Sequence, residues 1–124
     1  MDTQVEIRNK KVLFINMYDT NSEILKDFLN RWGFSVDRLN LADLEKKAAA
    51  EDGYNHIVYQ FLNFTEYEFT ILEKIISVIP LTHLIITAPY AIPRYLERLK
   101  NMGVRYFLIR PYSPEEAEAV FINT

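Results

Sequence analysis

The sequence contains no cysteine, only three glycines, two histidines and a single tryptophan. Without cysteine there are no disulfides and no thiolate metal sites. Gly33, Gly53 and Gly103 each stand where a turn is expected, so no glycine remains for a phosphate-cradling loop. An excess of basic charge is also missing. The formal net charge is -3 with acids and bases interspersed, which argues against nucleic acid as a partner. No apolar run is long enough to cross a bilayer and no N-terminal stretch has signal-peptide anatomy, so no membrane contact by this domain is expected. Internal repeats and low-complexity segments are absent.

What is present is apolar. Hydrophobic residues make up 49% of the 124, enough for one core, and the length fits one domain with little room for a second. Residues 1–10 are polar and mixed and read as a leader or the tail of a linker, with one domain over 11–124. Val12-Leu13-Phe14-Ile15 is a short continuous apolar run, as a strand covered on both faces should be, and it ends at Asn16. Ile24, Leu25, Phe28, Leu29 and Trp32 share one helical face, with Thr20 or Asn21 as cap and Gly33 as a left-handed stop. Phe34 to Arg38 is a weaker strand, and Leu41, Leu44 and Ala48 mark a short polar helix capped by Asn40. After Gly53, His56 to Leu62 reads as a third strand. Thr65 and Glu68 form a capping box ahead of Phe69, Leu72, Ile75, Ile76 and Ile79, a helical pattern that Pro80 ends. Leu84 to Thr87 is a fourth strand. Pro93 opens a helix that carries Tyr95, Leu96 and Leu99 and closes at Gly103. Tyr106 to Ile109 is a fifth strand, and Ser113-Pro114-Glu115-Glu116 opens a last helix.

Strands joined by crossover helices predict an α/β three-layer sandwich, flavodoxin-like, with a five-stranded parallel sheet in the order 2-1-3-4-5. Ligands of such sheets bind beyond the carboxyl ends of the strands, near the switch in strand order. Here those ends carry Asn16 and Met17, Gln60, Thr87, and Arg110 followed by Pro111.

These positions and their flanks resemble response-regulator receiver domains of two-component systems, from Lys11 to about Phe121. In that family strand one ends in two acids, strand three in the aspartate that accepts a phosphoryl group, strand four in Thr or Ser, and strand five in Lys-Pro, often with a cis peptide. Leu84-Ile85-Ile86-Thr87-Ala88 is similar to the fourth-strand signature, and Gly103 through Tyr112 is similar to the fifth, with Arg110 in place of lysine. Tyr54-Asn55-His56-Ile57-Val58-Tyr59-Gln60 matches the third strand, with Gln60 where the acceptor aspartate belongs. Asn16-Met17-Tyr18-Asp19-Thr20-Asn21 and Arg31-Trp32-Gly33-Phe34 look like the receivers of hybrid sensor histidine kinases, the two acids having become Asn16 and Met17.

The resemblance thus implies a framework without its chemistry. An acyl phosphate needs a carboxylate nucleophile, and Gln60 offers an amide. Mg²⁺ wants hard oxygen ligands including one or two carboxylates, whereas Asn16, Gln60 and Met17 offer neutral carbonyls and a thioether. An uncharged and therefore electropositive mouth around Arg110 is expected, with no metal or other cofactor, and Asp19 as its nearest acid. Asp19 reads chiefly as a turn residue before a helix. Thr87 and Phe107 stand at the family's switch positions; with no phosphoryl group to pull on them, they read as a strand-end threonine and a core aromatic. His56 and His83 fall at strand starts, away from the mouth. Tyr90, Tyr95, Tyr106 and Tyr112 cluster in the segment that commonly meets partners in the family, and mark a candidate partner surface.

The function expected is that of a non-phosphorylatable regulatory or interaction domain of a phosphorelay protein, part of a hybrid histidine kinase. It would be cytoplasmic and itself no enzyme, with partners in the kinase domains of the same chain, in a second copy, or in a partner regulator. The alternatives are a sensor that binds a small anion or metabolite through Arg110, an atypical free-standing response regulator, and, ranked last, a receiver still active through Asp19.

Overall fold

The computed structural model describes residues 10–40, 43, 54–78 and 84–122. Five strands, β1 (Lys11–Ile15), β2 (Ser35–Leu39), β3 (His56–Gln60), β4 (Leu84–Ala88) and β5 (Tyr106–Ile109), form one parallel sheet in the order β2-β1-β3-β4-β5. The described helices are α1 (Thr20–Arg31), α2 (Glu66–Val78), α3 (Pro93–Asn101) and α4 (Pro114–Ile122). The flavodoxin-like fold expected from the alternating pattern is therefore observed. The short polar helix expected around Leu41, Leu44 and Ala48 lies outside the described residues, as do Gly53, Ile79, Pro80 and His83.

Alternation along the strands sorts side chains into two layers. Leu13, Ile15, Ile57, Tyr59, Leu84 and Ile86 face α2 and α3, where they meet Phe69, Leu72, Ile75 and Leu99. Val12, Phe14, Val58, Ile85 and Leu108 face α1 and α4, where they meet Leu25, Leu29, Ala117 and Phe121. Buried His56 belongs to this second layer, edge-on to Phe34 and Phe121.

The helix starts are held by side chains. The Thr65 hydroxyl accepts from the Glu68 N–H at 3.1 Å, while Glu68 accepts from the N–H groups of Thr65, Leu62 and Asn63. The Ser113–Glu116 box is likewise reciprocal, at 2.7 and 3.0 Å. Neither Thr20 nor Asn21 caps α1. Asp19 does, its Oδ1 accepting from the Ser22 N–H at 3.0 Å, because an extended backbone at Asp19 places that acceptor over the first turn. The Asn40 side chain accepts from the Tyr18 hydroxyl at 2.7 Å. Gly33 (φ 97°) and Gly103 (φ 102°) both supply the left-handed turn that closes a helix.

Candidate functional site

The carboxyl ends of β1, β3, β4 and β5 open on one edge of the sheet, beside the start of α1. Gln60 is in register with Thr87, and Ala88 with Ile109. The Phe61 N–H donates to the Thr87 carbonyl at 2.8 Å, and the Arg110 N–H donates to the Ala88 carbonyl at 2.9 Å. These bonds fix Gln60, Thr87 and Arg110 along the mouth. Asn16 follows β1 with φ 57°, a conformation asparagine tolerates, and its N–H donates to the Leu39 carbonyl at 2.9 Å. Asn16 and Gln60 line a common cleft with Glu68 and Tyr67.

The mouth is not free of negative charge. Gln60 Nε2 donates to Asp19 Oδ2 at 3.1 Å, and because a carboxylate only accepts, it is the amide nitrogen that must face it. Asp19 therefore does two things, capping α1 with one oxygen and taking the Gln60 amide with the other. Its carboxyl titrates below the ordinary carboxylate value. Partial burial opposes that shift, and the Ser22 N–H, the Gln60 amide, the Ser22 side chain and the Arg110 charge together outweigh it. Asn16, Met17 and Gln60 carry no charge, and Asp19, expected as the nearest acid, brings a negative charge to the mouth from 41 positions away in sequence. An aspartate is as good a helix cap as an asparagine, so the cap was available to sequence reasoning; the contact to Gln60 was not.

Met17 also departs from expectation. It is 1% exposed and packs with the α1-side core, while its carbonyl accepts from Arg38 Nε at 3.0 Å. Its thioether is core and does not line the opening, since the chain turns inward there before climbing to the Asp19 cap. Thr87 is 2% exposed and points to the α1 and α4 side, whereas half-buried Phe107 packs against the α2 and α3 layer. Arg110 is half-buried, and its Nε is enclosed with no hydrogen-bond partner. Among the described residues its guanidinium forms no ion pair; it acts on Asp19 only through space.

The four tyrosines divide between the two layers that flank β5, the edge strand of the sheet. Tyr95 stacks on Phe64 at 4.9 Å and Tyr90 meets the same ring edge-on at 5.9 Å, both in the α2 and α3 layer. Tyr106 and Tyr112 pack against the opposite layer. Strand alternation at Tyr106 is the reason, since its neighbour Phe107 takes the α3 side.

The donor set at Gln60 is poor in the hard, charged oxygens that a divalent cation prefers. Asp19 is the carboxylate bonded to Gln60 and both its oxygens are engaged, Glu68 in the adjoining cleft is taken by backbone N–H groups, the Gln60 amide presents its donor end to Asp19, and the Met17 sulfur is buried. Among the described residues no three histidine, aspartate or glutamate side chains gather in one place.

The backbone matches known structures closely. A signal receiver domain of a two-component histidine kinase from Clostridium thermocellum superposes with a TM-score of 0.72 over 92% of this chain and 98% of its own, at 20% identity. The fold is that of a response-regulator receiver domain. A two-component response regulator from Clostridium difficile gives 0.67 over 90% of this chain and 94% of its own, at 20% identity. A pilus assembly-related protein from Burkholderia pseudomallei shares the receiver fold as well, at 0.72 over 88% of this chain and 84% of its own, with 16% identity. No protein-family model and no curated protein sequence matches the chain. The Arg110–Pro111 peptide is cis, as the sequence resemblance implied. No helix among the described residues is long and apolar enough to cross a membrane.

Proposed function

We propose that this chain is a regulatory interaction domain of receiver type that takes no phosphoryl group. The observation that carries the reading is the Gln60 side chain: an amide stands at the end of β3, hydrogen-bonded to Asp19 and in register with Thr87. An amide is a poor nucleophile toward phosphorus and cannot yield the acyl phosphate that a carboxylate would. The donor set is equally unsuited to Mg²⁺. Asp19 is the nearest carboxylate, but it is spent on the α1 cap and on Gln60, and it leaves a loop beside the sheet, not the end of a strand.

On this reading the domain is non-catalytic, resides in the cytoplasm and acts through its shape, contacting kinase domains of its own polypeptide or a partner regulator. A hybrid histidine kinase as its setting rests on the Asn16–Asn21 and Arg31–Phe34 stretches, and the kinase origin of the Clostridium thermocellum relative is in keeping with it.

The test is incubation with acetyl phosphate, or with a phosphorylated histidine donor, in the presence of Mg²⁺, followed by intact-mass measurement. The expected result is an unmodified chain. A stable phospho-adduct would overturn the reading, and its loss in Asp19→Asn would place the acceptor at Asp19.

A further inference from the structure

We propose that the groove between α1 and the junction of β5 with α4 binds a small organic monoanion, a carboxylate carrying an apolar body. The groove encloses about 440 Å³, within the range of small-molecule sites. Ile24 and Phe28 of α1 form one wall, and Pro89, Pro111 and Tyr112 form the other. Arg110 is the one charged lining residue, with the Asn21 amide nearby.

Three observations point to the ligand class. The first is the unspent guanidinium. Arginine carries five N–H donors, Arg110 gives none of them to a described residue, and its Nε is sealed from water without an acceptor. The enclosed Nε is out of a ligand's reach, which leaves the terminal nitrogens to the groove, and a carboxylate can accept two parallel hydrogen bonds from them. The second is charge. Asp19 lies within electrostatic reach of Arg110 and is ionised at neutral pH, so the pair is close to neutral overall. One added negative charge can be met by the guanidinium fork, whereas a doubly charged phosphate would press its second charge against Asp19. The third is the walls. Ile24 is 49% exposed although it faces this groove, so a hydrocarbon body seated there would remove it from water. The inference does not depend on whether Gln60 accepts a phosphoryl group.

The whole chain is titrated with acetate, isovalerate, phenylacetate and inorganic phosphate, and amide shifts are followed by two-dimensional NMR. Isovalerate or phenylacetate should saturate, with the largest shifts at Ile24, Phe28 and Tyr112, and bind at least about tenfold more tightly than acetate or phosphate. Arg110→Gln should weaken that binding about tenfold or more, and Arg110→Lys should weaken it less, because the charge survives but the fork does not. Ile24→Ser, at an exposed position, should weaken phenylacetate and leave acetate unchanged. Asp19→Asn keeps a helix-capping oxygen and removes the competing charge, so it should tighten every anion. The proposal is overturned if neither apolar carboxylate saturates, if phosphate binds more tightly than both, or if Ile24→Ser and the Arg110 variants bind as the parent does.

Discussion

Replacing Gln60 by glutamate probes the mouth with an almost isosteric change. The amide that donates to Asp19 at 3.1 Å becomes an oxygen, and two carboxylates then stand in contact. Two unit charges ~4 Å apart repel by about 1 kcal/mol at the dielectric constant of water and about 4 at the value common near protein surfaces. Asp19 is exposed and Gln60 half-buried, so the lower part of that range applies. Losing a hydrogen bond to a charged group adds roughly 1 kcal/mol, discounted for the same exposure. Gln60→Glu should therefore cost about 2 kcal/mol at neutral pH, which lowers the urea midpoint by about 1 M. The cost should shrink on acidification, because two carboxylates in contact share a proton and the protonated one donates again. The parent behaves oppositely. The Asp19 carboxyl titrates below its ordinary value of 3.8, so its contribution is present above that pH and lost as pH falls through the folded-state value. Urea unfolding at about pH 7 and about pH 4.5 measures the relief in the variant, and a further point at about pH 3, below the ordinary value, measures the loss in the parent. Equal midpoints for parent and variant at the first two values would show that Gln60 and Asp19 do not interact in solution.

Glu68→Ala removes the acceptor of three backbone N–H groups at the start of α2 and should cost about 1–2 kcal/mol in chemical denaturation; an unchanged midpoint would dismiss the capping box. Phe121→Ala empties a fully buried site beside His56 and Phe34 and should cost about 3–5 kcal/mol, read as a fall in thermal midpoint. Burial, followed by the charges of Glu68 and Tyr67, pushes the Tyr59 phenol far above its ordinary value of 10.0. Folding then favours its neutral form, so that stability is complete below about pH 10 and declines as pH rises beyond it. Tyr59→Phe should flatten this alkaline limb of the stability curve, and an unaltered limb would contradict the assignment.

Most of the fold was legible because each strand is a short apolar run and each crossover helix carries an explicit start or stop. Where reading went astray, a side-chain contact that periodicity does not encode had decided the outcome. The third strand was expected to run to Leu62 and stops at Gln60. The Phe61 N–H still bonds to Thr87 of the neighbouring strand, but those of Leu62 and Asn63 turn to the Glu68 carboxylate, which takes the donors that would have continued the sheet. The α1 cap fell on Asp19 because the choice among Asp19, Thr20 and Asn21 depends on the path of the preceding loop, and propensity alone does not separate them. Gln60 and Arg110 could be placed at the mouth from strand ends. The Asp19–Gln60 bond and the inward turn of Met17 required the folded chain. That the four tyrosines divide between the two layers was visible in principle, since alternation along β5 already sends Tyr106 and Phe107 to opposite sides.

Phe64 has φ 55°, a backbone state that is strained for a bulky side chain, yet it is 3% exposed. It is kept there by its neighbours: its ring lies nearly flat on Phe61 at 5.2 Å and on Tyr95 of α3 at 4.9 Å. The loop leaving Gln60 is thereby clamped to a helix three elements further along the chain. A partner that levers α3 outward must either drag this loop along or part the stacked rings and let the backbone relax. The mouth and the α3 surface are thus joined by a latch made of aromatic rings, one that neither phosphorus nor metal is needed to set.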